Sequence, residues 1–183
     1  MIIANVRVQL ERDLGYRLEE KSWRFLIEKF HVSDHLYHGL SLSALADRAR
    51  EIKLREICLA LPDTKEGIAW KHPVFRVREK MFCGYEELDG KMTVGFKLEV
   101  PHADLLAQDP RVVRSQKSGK QTKWVSIDAA SIDDWDDIAD LIMESYRLSA
   151  PKQTLAKQPS LGRGRSQRAA RKHSAANGSE EPD

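Results

Sequence analysis

Residues 80–98 read Lys80-Met81-Phe82-Cys83-Gly84-Tyr85-Glu86-Glu87-Leu88-Asp89-Gly90-Lys91-Met92-Thr93-Val94-Gly95-Phe96-Lys97-Leu98. Two runs rich in aromatic and β-branched residues flank Asp89-Gly90, a pair suited to a two-residue turn, so the stretch predicts a β-hairpin. In its second half Met92, Val94, Phe96 and Leu98 alternate with Thr93, Gly95 and Lys97. That is the period of a strand with one buried face and one open face.

Working outward, Trp70 to Val77 and Thr122 to Ile127 read as further strands. Residues 5–61 read as helical, with Trp23, Leu26, Ile27 and Phe30 on one stripe. Gly15 and Gly39 are the expected breaks, and Ser33 or Asp34 a cap. From Ser41 a second amphipathic run through Leu42, Leu45, Ala46, Ala49, Ile52, Leu54 and Ile57 ends at Pro62, because the residue before a proline disfavours the helical region. Pro101 opens a short helix to Gln108, suitably placed at a first turn. Pro110 to Ile127 contains a loop ahead of its strand. Ser131-Ile132-Asp133-Asp134 then resembles a capping box ahead of Trp135, Ile138, Ile142 and Tyr146. The fold class expected is α+β, an antiparallel sheet with helices packed on one side, preceded by an extra helical segment.

The chain has 183 residues, 41% of them hydrophobic and 32% charged, which suits one ordinary domain with additions. No apolar run approaches the ~20 residues of a bilayer span. Met1-Ile2-Ile3-Ala4-Asn5-Val6-Arg7 lacks the pattern of a secretory signal. Cys58 and Cys83 have no metal-type spacing, so a reduced, cytoplasmic protein is expected. The formal charge of +2 conceals an uneven distribution. Residues 1–50 carry eight basic and seven acidic side chains, residues 51–150 carry 15 and 18, and the last 33 carry seven and three. Composition also changes after Pro151, so 153–183 is expected to be a disordered basic tail.

Leu61-Pro62-Asp63, Trp70-Lys71-His72-Pro73-Val74-Phe75-Arg76-Val77, Lys80-Met81-Phe82-Cys83, Trp124-Val125 and the closing segment from Asp134-Trp135 to Tyr146-Arg147-Leu148 together resemble the MmcQ/YjbR family of small bacterial proteins. The resemblance covers about residues 42–152 and rests most on the Trp-x-His-Pro-x-Phe-Arg-Val strand. It implies a compact α+β domain likened to a double-wing DNA-binding fold. Residues 1–41, a helical extension, and the basic tail have no counterpart in the usual family member.

Five side chains, Arg111, Arg114, Lys117, Lys120 and Lys123, lie between Pro110 and Ile127 with no acidic residue among them. If Ser115 to Gln121 is the tip of a wing, they can follow a phosphate backbone, positioning the protein without reading sequence. The bland alternative is a solvated loop. Ser118-Gly119-Lys120 is not a phosphate loop, since Gln121 replaces the magnesium-binding hydroxyl. Lys71, His72 and Arg76 beside Trp70 form a second candidate surface, unless Trp70 fills the core. In the tail, Arg163 and Arg165 flank Gly164 in an Arg-Gly-Arg core that resembles part of an AT-hook.

His31, His35 and His38 with Asp34 could share a helical face, but a solvated polar face is the simpler reading, and no metal or cofactor is expected. Asp133, Asp134, Asp136, Asp137 and Asp140 gather at a helix N-terminus, where the dipole accounts for them without catalysis. Glu86 and Glu87 are expected to face water.

The expectation is therefore a non-enzymatic DNA-binding protein with no membrane partner. The alternative is a protein-interaction or small-ligand module using the sheet near Trp70, Phe75 and Trp124. The N-terminal helices would then offer a homodimer or partner surface, unless their stripe packs within the chain. They could also form a helix-turn-helix reader, against which their near-neutral charge counts.

Overall fold

The computed structural model describes residues 2–30 and 41–156. Three helices, α1 (Ile2–Leu14), α2 (Glu20–Phe30) and α3 (Leu42–Leu59), precede strands β1 (Thr64–Ala69), β2 (His72–Val77), β3 (Lys80–Leu88) and β4 (Lys91–Glu99). Helix α4 (Val100–Leu106), strands β5 (Val112–Lys117) and β6 (Thr122–Asp128), a 3-10 turn at Ala129–Ser131, and helices α5 (Trp135–Ser149) and α6 (Lys152–Leu155) complete the described chain. The six strands form one antiparallel sheet in the order β1-β2-β3-β4-β6-β5.

The hairpin of residues 80–98 forms as its turn chemistry dictates. Leu88 pairs with Lys91, and Asp89 and Gly90 take φ of 52° and 77°, the left-handed pair of a type I′ turn. Val94, Phe96 and Leu98 enter a core with Phe75, Cys83, Tyr85, Val125, Ile138, Ile142 and Tyr146, all shielded from water. Helices α3 and α5 cover this face: Tyr85 donates to the Asp47 carbonyl at 2.9 Å, and Tyr146 to the Pro62 carbonyl at 2.9 Å.

Two strands differ from the sequence reading for one physical reason. Strand β1 lies where a connection is expected, and β5 lies inside the expected loop. Both are edge strands, with no side chain buried in either. Alternation is a signature of burial, so an exposed edge strand carries little of it. The strand expected from Trp70 begins instead at His72, because Trp70 and Lys71 form the turn between β1 and β2. Helix α5 is capped by Asp134, whose carboxylate accepts from Asp136 N, while Ser131 donates to the Asp128 carbonyl and ends the 3-10 turn.

Helices α1 and α2 pack on α3. Val6, Leu10, Leu14, Trp23 and Leu26 are buried against Leu45, Ala46 and Ala49, and the Tyr16 ring stands edge-on to Trp135 at 6.2 Å. Trp23, Leu26 and Ile27 of the stripe thus pack within the chain, the alternative to a partner surface. At the other end the fold runs past the composition break at Pro151: Thr154 in α6 is buried and donates to Asp63 at 2.9 Å. His31, Ser33, Asp34, His35, His38, Gly39, Arg163 and Arg165 lie outside the described residues.

The β3–β4 ladder holds from Leu88–Lys91 to Cys83–Phe96. One step further, Ser145 of α5 stands between the strands, its hydroxyl accepting from Lys97 N at 2.7 Å and donating to the Phe82 carbonyl at 2.5 Å. Ser145→Ala leaves both buried backbone groups without a partner, and the expected loss is about 2–4 kcal/mol. A lowered denaturation midpoint with an unchanged denaturant slope checks this; a midpoint equal to that of the parent counts against it.

Candidate functional site: the open face of the sheet

Among the described residues no helix covers the face turned away from α3 and α5, and its floor follows from two glycines. Gly84 on β3 pairs with Gly95 on β4, and Gly95 with Ser126 on β6. Trp124, two residues before Ser126 and on the same face, lays its indole over this side-chain-free ground. A Cβ added to Gly95 would stand 2.6 Å from Trp124 Nε1, and one at Gly84 would stand 3.9 Å from Cζ2. The ring therefore reaches from β6 across β4 towards β3. Above it is a cleft of about 360 Å³.

The walls of the cleft come from opposite corners of the sheet. Trp70 and His72 contribute from the β1–β2 hairpin, and Arg114, Gln116, Lys117 and Ser118 from the β5–β6 hairpin. Phe82 and Val113 are each one residue more than the facing strand can match. Such bulges bend a strand and increase its twist. A twisted sheet brings diagonal corners towards each other over its concave side.

Trp70 is held in an unusual way. Ala69 pairs with His72, so Trp70 and Lys71 alone make the turn, with φ of 50° and 71°. Neither residue suits the left-handed region, which costs roughly 1–2 kcal/mol for a residue with a Cβ. Trp70 recovers little of this by packing, since it is 77% exposed. Strain of this kind, observed first, is a pointer to function.

The cations expected from the sequence separate into two groups. Arg111 donates to Asp109 at 3.0 and 2.7 Å and lies 3.7 Å from Asp133; the Asp109 hydrogen bonds raise its pKa above the ordinary value. Lys123 is bonded to Asp104 of α4. Both are neutralised on the helix side, contrary to an uninterrupted stripe of five. Arg114 lies on the cleft wall, 4.0 Å from Asp89. Among the described residues, Lys71, Lys117 and Lys120 form no ion pair. Arg76, on β2, donates to the Glu79 carbonyl at 3.3 Å.

Phe75, expected beside the two tryptophans, is buried in the helix-covered core because it alternates with Val74. Glu86, expected to face water, lines the cleft. The one signal that could have shown the floor is the placement of Gly84 and Gly95 equally far from the Asp89-Gly90 turn. In a hairpin such residues face each other.

Residues 59–148 match the model of the YjbR family. The match begins at the last residue of α3, so nearly all of the helical layer lies before it. The crystal structure of Deinococcus radiodurans protein DR2400, described with the domain DUF419, is 17% identical, covering 61% of this chain and 90% of that one with a TM-score of 0.45. No curated protein matches the chain.

Two substitutions test the site's construction. Gly95→Ala forces the Trp124 ring to lift, at an expected cost of about 1–3 kcal/mol and with an altered near-ultraviolet dichroism. Gly84→Ala meets nothing closer than 3.7 Å and should cost markedly less; equal costs would refute the floor described above. Replacing Trp70-Lys71 with Asn-Gly, the pair the turn prefers, is expected to raise stability by about 1–2 kcal/mol. Thermal melting reads this as a gain of about 2–4 °C per kcal/mol at this chain length, and a lowered midpoint contradicts it.

Proposed function

We propose that this chain, which carries a YjbR domain over residues 59–148, is a non-enzymatic DNA-binding protein that uses the open face of its sheet. The observation that carries the reading is the sorting of its cations. Arg111 and Lys123 are matched by carboxylates on the helix side. Lys117 lines the cleft with Arg114, His72 and two indoles, Lys71 and Lys120 lie in the turns that end the two hairpins, and none of the three lysines has an ion pair among the described residues. Unmatched positive charge on one concave face focuses potential and attracts a polyanion. The β5–β6 hairpin then acts as a wing along the phosphates, in a cytoplasmic protein. Arg163, Arg165 and the other basic residues of the tail add sequence-independent affinity through counterion release.

A second reading keeps the face and changes the partner. Ile68 and Trp70 are 71% and 77% exposed near the end of the β1–β2 hairpin, an apolar tip that fits a protein partner or small ligand. The two readings differ over the lysines.

Fluorescence anisotropy with labelled DNA across a range of salt decides between them. Binding should weaken steeply with salt, and Lys117→Ala/Lys120→Ala should reduce both the affinity and the salt slope, by about 0.9 for each phosphate no longer neutralised. Deleting 157–183 should lower affinity further. Full-length protein that binds no DNA at about 50 mM salt, where electrostatic binding is strong, ends the DNA reading. Lysine variants that bind DNA as the parent does move the binding surface away from the wing.

A further inference from the structure

We infer that the cleft takes an unpaired base, so that the protein prefers single-stranded DNA with amino-bearing bases to a duplex. The inference rests on the DNA-binding reading and names what that surface holds. Three features of the cleft point past a phosphate track.

Its size is the first. A volume of about 360 Å³ is near the low end of small-ligand pockets, roughly 300–1,000 Å³. A double helix resting on the two hairpins would leave it empty. The second is its aromatic content. Trp124 forms the floor, immobilised by Gly95, and the exposed Trp70 forms a wall. Base–aromatic stacking is the means by which proteins hold single strands, and it requires a base already free of its partner.

The third is an acid among cations. Glu86 lines the cleft and forms no ion pair among the described residues. A carboxylate repels phosphate, so for a surface that only follows a backbone Glu86 is a defect. For a base it is a recognition group, able to accept from the exocyclic amine of cytosine or adenine and unable to bond thymine O4. Glu86 comes from β3, while Arg114 and Lys117 come from β5 across the sheet. The cleft is therefore polarised: its acidic side meets the amino edge of the base, and its basic side meets the phosphate.

The strained turn fits the same occupant. Trp70 is in a costly conformation and is mostly exposed. Stacking with a base supplies the packing that the chain itself does not.

The experiment compares short labelled oligo-dC, oligo-dT and a duplex of equal length, using full-length protein at low salt. Oligo-dC should bind tighter than oligo-dT, and both tighter than the duplex. Trp70→Ala should weaken oligo-dC on the order of tenfold and duplex by much less; its exposed position spares the core, which a melting curve confirms. Glu86→Gln should abolish the preference for oligo-dC over oligo-dT. Duplex binding equal to or tighter than single-strand binding overturns the inference while leaving the DNA reading in place, as does oligo-dC binding indifferent to Trp70→Ala. A single-strand preference without discrimination of dC from dT removes Glu86 from recognition and overturns the amino-base assignment. Absence of binding to all three removes the DNA reading together with the inference.

Discussion

One hydroxyl holds the two halves of the architecture in register. Ser145 closes the gap where β3 and β4 part, joining Lys97 N–H to the Phe82 carbonyl from above the sheet. The link is two-ended and runs through a fully buried hydroxyl, so losing it strands the Phe82 carbonyl away from water. It also ties α5 to the very point where Phe82 bulges out of the β2–β3 pairing. With α5 fixed there, the helical cover of the described residues lies on one face, and the opposite face carries strained turns, glycines and unmatched charge away from the core.

The two faces follow different rules. On the covered side, apolar volume and paired charges dominate, and even the cations of the β5–β6 region that reach it, Arg111 and Lys123, meet acids. On the open side, Gly95 gives up a side chain so that Trp124 can lie flat, and Trp70 adopts a turn conformation that suits asparagine or glycine. Local preferences that contradict the structure are common at binding surfaces and rare in cores.

What could be read from the residues was what burial writes into them. The alternation of Met92, Val94, Phe96 and Leu98, the Asp89-Gly90 turn and the amphipathic face of α5 all record packing against the core, and each led to the right element. Strands β1 and β5 were hidden because nothing buries their side chains, and their pairing is a property of their neighbours. The candidate site was legible only as a set of residue types. That Arg114 and Gln116 share the open face with Trp124 while Arg111 and Lys123 meet acids depends on the bulge at Val113 and on Asp104 and Asp109. Glu86 joins Trp70 and His72 because β3 pairs beside β2, a neighbourhood set by strand order and register that leaves no local mark in the sequence.

The two edges of the sheet bear on how many copies of the protein can coexist. A sheet with free edges invites another sheet to extend it, and a flat apolar edge leads to fibrils. Here β1 carries Lys65 and Glu66, and β5 is bent at Val113 and bristles with Arg114 and Lys117. Neither edge offers a second copy a straight, uncharged template. Copies of the chain are thus discouraged from pairing edge to edge.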